Sequence, residues 1–522
     1  MNFKRFTALL LCLLMLVSAV ACGKGNEPAD TTTAAAQGDA TNASGDTTTA
    51  APEETGPELD KWGREVIEDT VPADLDFGGK TLNILARLDT AGKNRWRVDF
   101  YAPDLNGEVL NDAVYNRNAL ICDRLNIKIN VVEENGNYDN FTAYSNIIQS
   151  AYTAGTHEFD VVGTYSLYGA QFATKGYFYN VLELDQNQHL DLDQIWWNQS
   201  LREDLTIADR LYMLVGDMNT TTLTRMLAIF FNKKTVGETY KDVDLYSVVN
   251  DGKWTMDYLS ELISTSWQDL NGDGLADDGD FYGLVTVAPS EAYDSVCSGM
   301  GIEMMVRDGS GNWTIATNTE LLIDKVQKAV NLYWAGNNAT HFYSMDPTVN
   351  KFASDGAHFM IITLDKAMEK ILGEMKSDYG VLPLPKYNEE QEMYRTIPQD
   401  AFNMISVMGD IQDPALVSAA LELMCAESYK TVTPELFNVV LKYRYMRDDA
   451  SGQMLDHLRA GLRMDFATIN TLGLNDVGRW FRNQINSSKD GAVNAAASSL
   501  KAQTRVWGKA LEKFIAAYES LS

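Results

Sequence analysis

Gly78-Gly79-Lys80-Thr81-Leu82-Asn83-Ile84-Leu85-Ala86 is the stretch on which the fold turns. Two glycines close a turn, and the apolar run behind them reads as a strand. Residues 108–124 follow with Val109, Ala113, Val114, Leu120 and Ile121 at helical spacing. Ile127-Lys128-Ile129-Asn130-Val131-Val132 alternates as a second strand. Residues 138–155 return to a helical stripe of Phe141, Tyr144, Ile148 and Tyr152, and Phe159-Asp160-Val161-Val162-Gly163 is a third strand. This β-α-β-α-β order predicts a parallel sheet with helices on both faces. Such sheets bind ligands at the C-terminal ends of their strands.

A second unit of the same kind is read further on. Strands are predicted at 227–231, 282–287 and 358–363, with an extended segment through 381–385. Helices are predicted at 255–266, with Thr255 as N-cap and Asp257 in the first turn, and at 320–334. From Pro414 the chain reads mainly helical, ending in 492–518, and there is no repeat at a solenoid period.

The chain of 522 residues is 45% hydrophobic and 10% aromatic, enough to bury a large core. At roughly 100–200 residues per domain it holds several units or one two-lobed body. A net charge of −29 argues against a nucleic-acid binder or a polybasic membrane-surface protein. Beyond the N-terminus no apolar run is long enough to span a membrane.

The N-terminus is a different matter. Lys4 and Arg5 precede the apolar run 6–21, which ends Ala19-Val20-Ala21 before Cys22 and Gly23. A basic start, an apolar stretch and small residues make a secretory signal. The cysteine directly after it resembles the lipobox of bacterial lipoproteins, with Ala19 where leucine is usual. That resemblance implies a diacylated Cys22 and an extracytoplasmic protein anchored to the bacterial cell membrane. Residues 24–59 hold almost nothing apolar, and such a segment cannot offset its ordering entropy. As a flexible tether it spans roughly 35 Å. Cys122, Cys297 and Cys425 are widely spaced in apolar contexts and read as buried small residues, without a disulfide framework.

The acidic loop 269–280 carries the most specific chemical spacing. Asp269, Asn271, Asp273, Asp277 and Asp280 take positions 1, 3, 5, 9 and 12 of an EF-hand-type loop, Gly274 sits at its sharp turn, and Leu275 offers a carbonyl. Structural Ca²⁺ is the expectation, with Asp280 replacing the usual glutamate. Gly79-Lys80-Thr81 ends like a P-loop, but Asp74 stands where the first glycine belongs and a strand follows instead of a helix. With five histidines there is no zinc-like cluster, and no G-x-S-x-G elbow occurs.

Several patterns in order give the chain a family likeness. They are Gly79-Lys80-Thr81-Leu82-Asn83-Ile84; Phe159-Asp160-Val161-Val162 with Phe172-Ala173-Thr174-Lys175-Gly176-Tyr177; Ile229-Phe230-Phe231-Asn232-Lys233; Trp254-Thr255-Met256-Asp257; and Phe352-Ala353-Ser354-Asp355-Gly356-Ala357-His358-Phe359-Met360 with Tyr379-Gly380-Val381-Leu382-Pro383-Leu384-Pro385. Over residues 78–520 the chain resembles the extracellular solute-binding proteins of ABC importers, in the family that includes maltodextrin-binding proteins. It departs in His358, where a small residue is usual, and in its length. The resemblance implies a two-lobed α/β fold of the type II periplasmic-binding-protein kind, with the ligand cleft between the lobes. It places crossovers near 217–225, 397–404 and 446–452. The divisions implied are a signal peptide at 1–21, a lipid-anchored linker at 22–60, lobe 1 at 61–220 with 400–448, and lobe 2 at 221–399 with 449–522.

The same resemblance implies a monomeric, non-enzymatic receptor that captures a sugar or oligosaccharide and passes it to a membrane permease. Sugar sites pair aromatic faces with planar polar side chains. Position then selects Arg87 and Asp89 after the first strand, and Tyr165, Ser166 and Tyr168 after the third. Asp217 and Asn219 lie at the first crossover. Glu291 and Tyr293 match an acid-x-aromatic pair of maltodextrin binders, Asp365 follows the 358–363 strand, and Trp480 precedes the C-terminal helices where such binders stack a sugar. Trp196 and Trp197 read as packing, as do Trp254, Trp334 and Trp507 on helical stripes. A peptide or another metabolite is the alternative ligand, favoured by a cleft of Arg and Asp pairs. A tethered carbohydrate-active hydrolase is the rival class, needing two carboxylates at a cleft.

Overall fold

Strand β1 (Lys80–Leu88) lies inside a four-stranded sheet of order β11-β3-β1-β2. The computed structural model describes residues 58–521 except 63, 89–96, 185–188, 317, 368–369, 446–447, 490, 492 and 494. The signal segment, Cys22, most of the linker, Asp89 and part of the third crossover lie outside the described residues. β2 (Ile127–Asn135) and β3 (Val161–Tyr165) flank β1 in parallel, and Ile84 pairs with both Val131 and Val161. The helix Val109–Leu125 ends on Asn126 at φ 48°, a left-handed cap that asparagine tolerates. The helix Phe141–Ala154 ends likewise on Gly155. β11 (Asn403–Val407) returns from the far end of the chain and closes this sheet antiparallel to β3.

The second sheet has the order β10-β4-β9-β5-β8. It comprises β4 (Leu227–Asn232), β5 (Tyr282–Val287), β8 (Ala339–Phe342), β9 (Ala357–Thr363) and β10 (Tyr379–Leu382). Every residue of β4, β5 and β9 is buried. The expectation of a second all-parallel unit is corrected here. β5 is parallel to β8 and β9, but β4 is antiparallel to both β9 and β10. β4 arrives by a crossover from the first sheet, so no βαβ loop constrains its direction.

Local chemistry accounts for the elements around this sheet. Thr255 caps the helix Met256–Ile263, its hydroxyl accepting from the Tyr258 amide at 3.2 Å. His358 is buried on β9, 3.1 Å from the Thr235 hydroxyl and edge-on to Phe281. Burial pushes its pKa down to about 4, so it packs as a neutral ring. The last third is helical, with Pro414–Glu427 buried almost throughout and Ala496–Glu519 at the end. Trp254 and Trp507 are buried and Trp334 half-buried, in keeping with packing roles. The three cysteines are free; Cys297 and Cys425 are buried, whereas Cys122 is only half-buried because its helix faces solvent there.

A small hairpin of β6 (Met305–Arg307) and β7 (Trp313–Ile315) was not expected from the sequence. It bridges the two halves. The Arg307 guanidinium lies 4.3 Å over the Trp313 ring and donates to the Glu203 carbonyl at 2.9 Å. Residue 203 belongs to the segment tied to the first sheet through paired Leu214 and Ile405. Beneath the hairpin Asp204 is buried, and its Oδ2 has no hydrogen-bond partner. Burial raises the Asp204 pKa to about 7; Arg463 opposes the rise, while Asp465, Glu203 and Glu303 add to it. The folded state therefore holds this proton more tightly than the unfolded chain, and ionisation costs stability as pH rises from about 4 to about 7. Asp204→Asn should match wild type at pH 4 and exceed it at pH 8, the gap opening across that window in urea titrations. A gap independent of pH would refute this.

Candidate ligand-binding cleft

The strand ends of both sheets meet at a narrow, partly open cleft. Ser166 enters it just after β3, Leu227 at the start of β4, and Ser290, Glu291 and Asp294 just after β5. Gln399 and Asp400 come from the return crossover between β10 and β11, and Arg479 and Arg482 from the C-terminal region. Gly478 makes that last approach possible, since a Cβ there would sit 2.6 Å from the Ala467 carbonyl.

The cleft is strongly charged. Arg482 grips Asp294 with two donors, one of them Nε at 2.9 Å. Burial works against the Arg482 charge, but Asp294 outweighs it and lifts the guanidinium pKa. Arg225 donates to Gln399 through two nitrogens, with Nε at 2.8 Å, and to Asp365 at 3.2 Å. The Ser166 hydroxyl donates to the Asp400 carbonyl, tying the end of β3 to the return crossover. Glu291 is 5% exposed and accepts from Ser290 Oγ at 2.6 Å. Burial raises the pKa of Glu291 and of Asp400; Asp400 adds to the rise at Glu291 and Arg225 opposes it, while Arg482, Arg225 and Arg479 oppose the rise at Asp400. Among the described residues none of the side chains lining the cleft is aromatic.

Of the residues selected by sequence, Ser166 and Glu291 line this cleft. Asp365 stands behind it, positioning Arg225 and accepting from the Thr363 hydroxyl. Arg87 is fully buried and braces the return crossover instead, donating to Asn403 Oδ1 at 2.9 Å and the Ala401 carbonyl at 2.8 Å. It lies 4.2 Å over the Tyr165 ring, and burial brings its pKa down to about 10. Tyr168 stacks on Phe141 with centroids 3.5 Å apart. Asn219 is buried and donates to the Asn403 carbonyl at 3.1 Å. Asp217 lines a separate hollow with Trp196, Trp197 and Arg459, the last at 3.7 Å. Both tryptophans are buried and donate to the Glu422 carboxylate at 2.9 and 3.1 Å, which makes them packing residues.

Two selected aromatics belong to the core. Tyr293 is fully buried, edge-on to Tyr333 at 5.1 Å. Trp480 is 3% exposed, packs on Phe481 and Trp507, and gives its indole N–H to Ser499 at 3.1 Å. In that setting Trp480 offers no face to a ligand. Sequence reasoning missed Asp294, Asp400, Arg479 and Arg482, whose grouping joins segments about a hundred residues apart and leaves no spacing signal.

The acidic loop lies away from this cleft. Asp269 accepts from the Gly272 amide at 2.6 Å and the Gly274 amide at 2.7 Å, both glycines having positive φ. Asp273 accepts from Leu275 N at 2.8 Å, and Asn271 donates to Asp277 at 3.0 Å. Asp280 is buried against Trp267 Nε1 at 3.1 Å and Leu270 N at 3.0 Å. Among the described residues no group of three or more His, Cys, Asp or Glu side chains is arranged to hold a metal ion.

No family model matches the chain, and no curated protein is similar to it in sequence. Solved structures do resemble it. The sugar-binding protein MalE from Xanthomonas citri is 12% identical, with a TM-score of 0.52 over 85% of this chain and 100% of its own. A cyclo/maltodextrin-binding protein complexed with maltotetraose is 14% identical, with a TM-score of 0.50 over 84% and 96%. The apo form of RafE from Streptococcus pneumoniae is 12% identical, with a TM-score of 0.50 over 83% and 98%. At these identities the shared property is the architecture: the chain has the two-lobed α/β fold of the ABC-type substrate-binding proteins.

Proposed function

We propose that this protein is a solute receptor of an ABC importer, lipid-anchored through Cys22, that closes its two halves on a sugar-like ligand and delivers it to a membrane permease. The observation that carries the reading is the cleft itself. Its walls come from the ends of β3 and β5 and from the return crossover, and in this reading rotation about the crossovers opens and closes it. Similarity in fold to a protein named as sugar-binding and another named for cyclo/maltodextrin supports a saccharide. No chemical step is part of this reading. The charged lining favours a second reading, in which the ligand is a peptide or other charged metabolite.

A thermal-shift screen tests the receptor reading. A ligand at about 100 times its Kd adds about 2.7 kcal/mol of stability, a rise of several degrees in Tm. Maltotetraose, raffinose, amino sugars and short peptides should include at least one such ligand, and small-angle scattering should contract with it. A panel that leaves Tm and scattering unchanged would reject a receptor for these classes.

Anchoring is tested by fractionation: Cys22→Ser should move the protein from membranes to the medium, and unchanged membrane association would refute the lipid anchor. Calcium in the 269–280 loop is supported by the ligand spacing in the sequence and by the turns at Gly272 and Gly274. Chelator should lower the Tm of wild type and leave that of Asp273→Ala unmoved; an equal response in both would remove the calcium proposal.

A further inference from the structure

We propose that the β6–β7 hairpin is a pH-sensitive clasp: Arg307 holds the 203–206 segment while Asp204 beneath it keeps its proton, and loss of that proton loosens the hold. The clasp stands on its own contacts whatever solute the cleft takes, so its failure would leave the receptor reading intact. Its grip is pre-formed on the hairpin side. The Arg307 guanidinium is fixed over the Trp313 ring and donates to the Gly311 carbonyl of its own turn at 2.8 Å. Its other terminal nitrogen reaches across to the carbonyls of Glu203 at 2.9 Å and Thr206 at 3.4 Å. Trp313 is stacked in turn on Phe466, with centroids 3.9 Å apart.

Beneath the hairpin lies a partly open hollow lined by Asp204, Glu303, Trp313, Arg463 and Asp465. Asp204 Oδ2, Trp313 Nε1 and Arg463 Nε are buried there with no hydrogen-bond partner among the described residues. A buried polar atom without a partner regains its hydration when it is uncovered, so all three favour release of the hairpin. For Trp313 and Arg463 that bias is the same at every pH near neutral. For Asp204 it depends on the proton, because a buried carboxylate costs far more than a buried carboxyl group. The surrounding charges leave that cost in place. Arg463 is the base that opposes it, but its guanidinium lies 3.7 Å from Glu303, which also accepts from Arg395 at 2.8 Å. Glu203, Glu303 and Asp465 act on Asp204 as like charge. Asp465 caps the helix Phe466–Ile469 through the Ala467 and Thr468 amides, and Arg307 gives its terminal nitrogens to carbonyls. Burial holds the covered Asp204 carboxyl at about 7 against an ordinary 3.8. Closing the clasp therefore takes up a proton between those values, and its hold weakens as pH rises through that window.

Double electron–electron resonance tests this on the full chain in a Cys22→Ser, Cys122→Ser background. Spin labels on Ser310→Cys and Asp193→Cys report the separation of the hairpin from the 203–206 side. At pH 4.5 the short distance should dominate, and at pH 8 the ratio of long to short should be at least about tenfold higher. Asp204→Asn should keep the short distance at both pH values, and Arg307→Gln should show the long one at both. If Asp204→Asn fails to fold, Asp204→Ser takes its place. A separation that does not change with pH in the parent overturns the clasp. An unchanged pH response in the Asp204 variant removes Asp204 as its trigger, and an Arg307→Gln distribution equal to that of the parent removes Arg307 as its grip; either result defeats the proposal.

Discussion

A single buried carboxylate fastens the passages between the two sheets. Asp99 is fully buried and accepts from Thr220 Oγ1 at 2.8 Å, Thr221 N at 2.9 Å, Thr221 Oγ1 at 2.5 Å and Asn403 Nδ2 at 3.0 Å. Thr220 and Thr221 lie where the chain leaves the first half, and Asn403 lies where it comes back. Burial lifts the Asp99 pKa to about 6, and the hydroxyls and amides around it pull the other way. Neutral donors do here what a base usually does for a buried acid. Arg117 and Arg87 extend the joint, Arg117 donating to the Asp99 carbonyl at 3.2 Å and Arg87 to Asn403. The walls of the cleft hang from this joint, since Gln399 and Asp400 immediately precede the strand it holds.

The sheets were legible because their signal is local. Strands such as 282–287 and 357–363 are mostly apolar runs, and a buried strand needs no partner to be recognised. Strand direction was not legible. Nothing inside Leu227–Asn232 says that it arrives by a crossover and so runs against β9. The β6–β7 hairpin escaped notice because three-residue strands are shorter than any period.

The cleft was legible only at two of its residues. Taking polar residues just beyond strand ends finds Ser166 and Glu291, because their place follows from topology. The same rule selects Arg87, which lies at the end of β1 but turns inward to bond the crossover backbone. Tyr293 and Trp480 show the limit of aromatic spacing as a guide. A ring in a short helix can meet a ligand or other rings, and here Tyr333 and Trp507 occupy those places. The ion pair of Arg482 with Asp294 joins residues far apart in sequence, and only the folded chain reveals it.

The hairpin that Arg307 secures to residues 203 and 206 has a mechanical meaning. It is a second tie, made by residues other than those of the joint at Asp99. The segment around residues 203–206 is thus held by Arg307 at 2.9 and 3.4 Å, while Asp99 holds the crossovers. Sequence change in the hairpin would alter this second tie without altering a residue that lines the cleft.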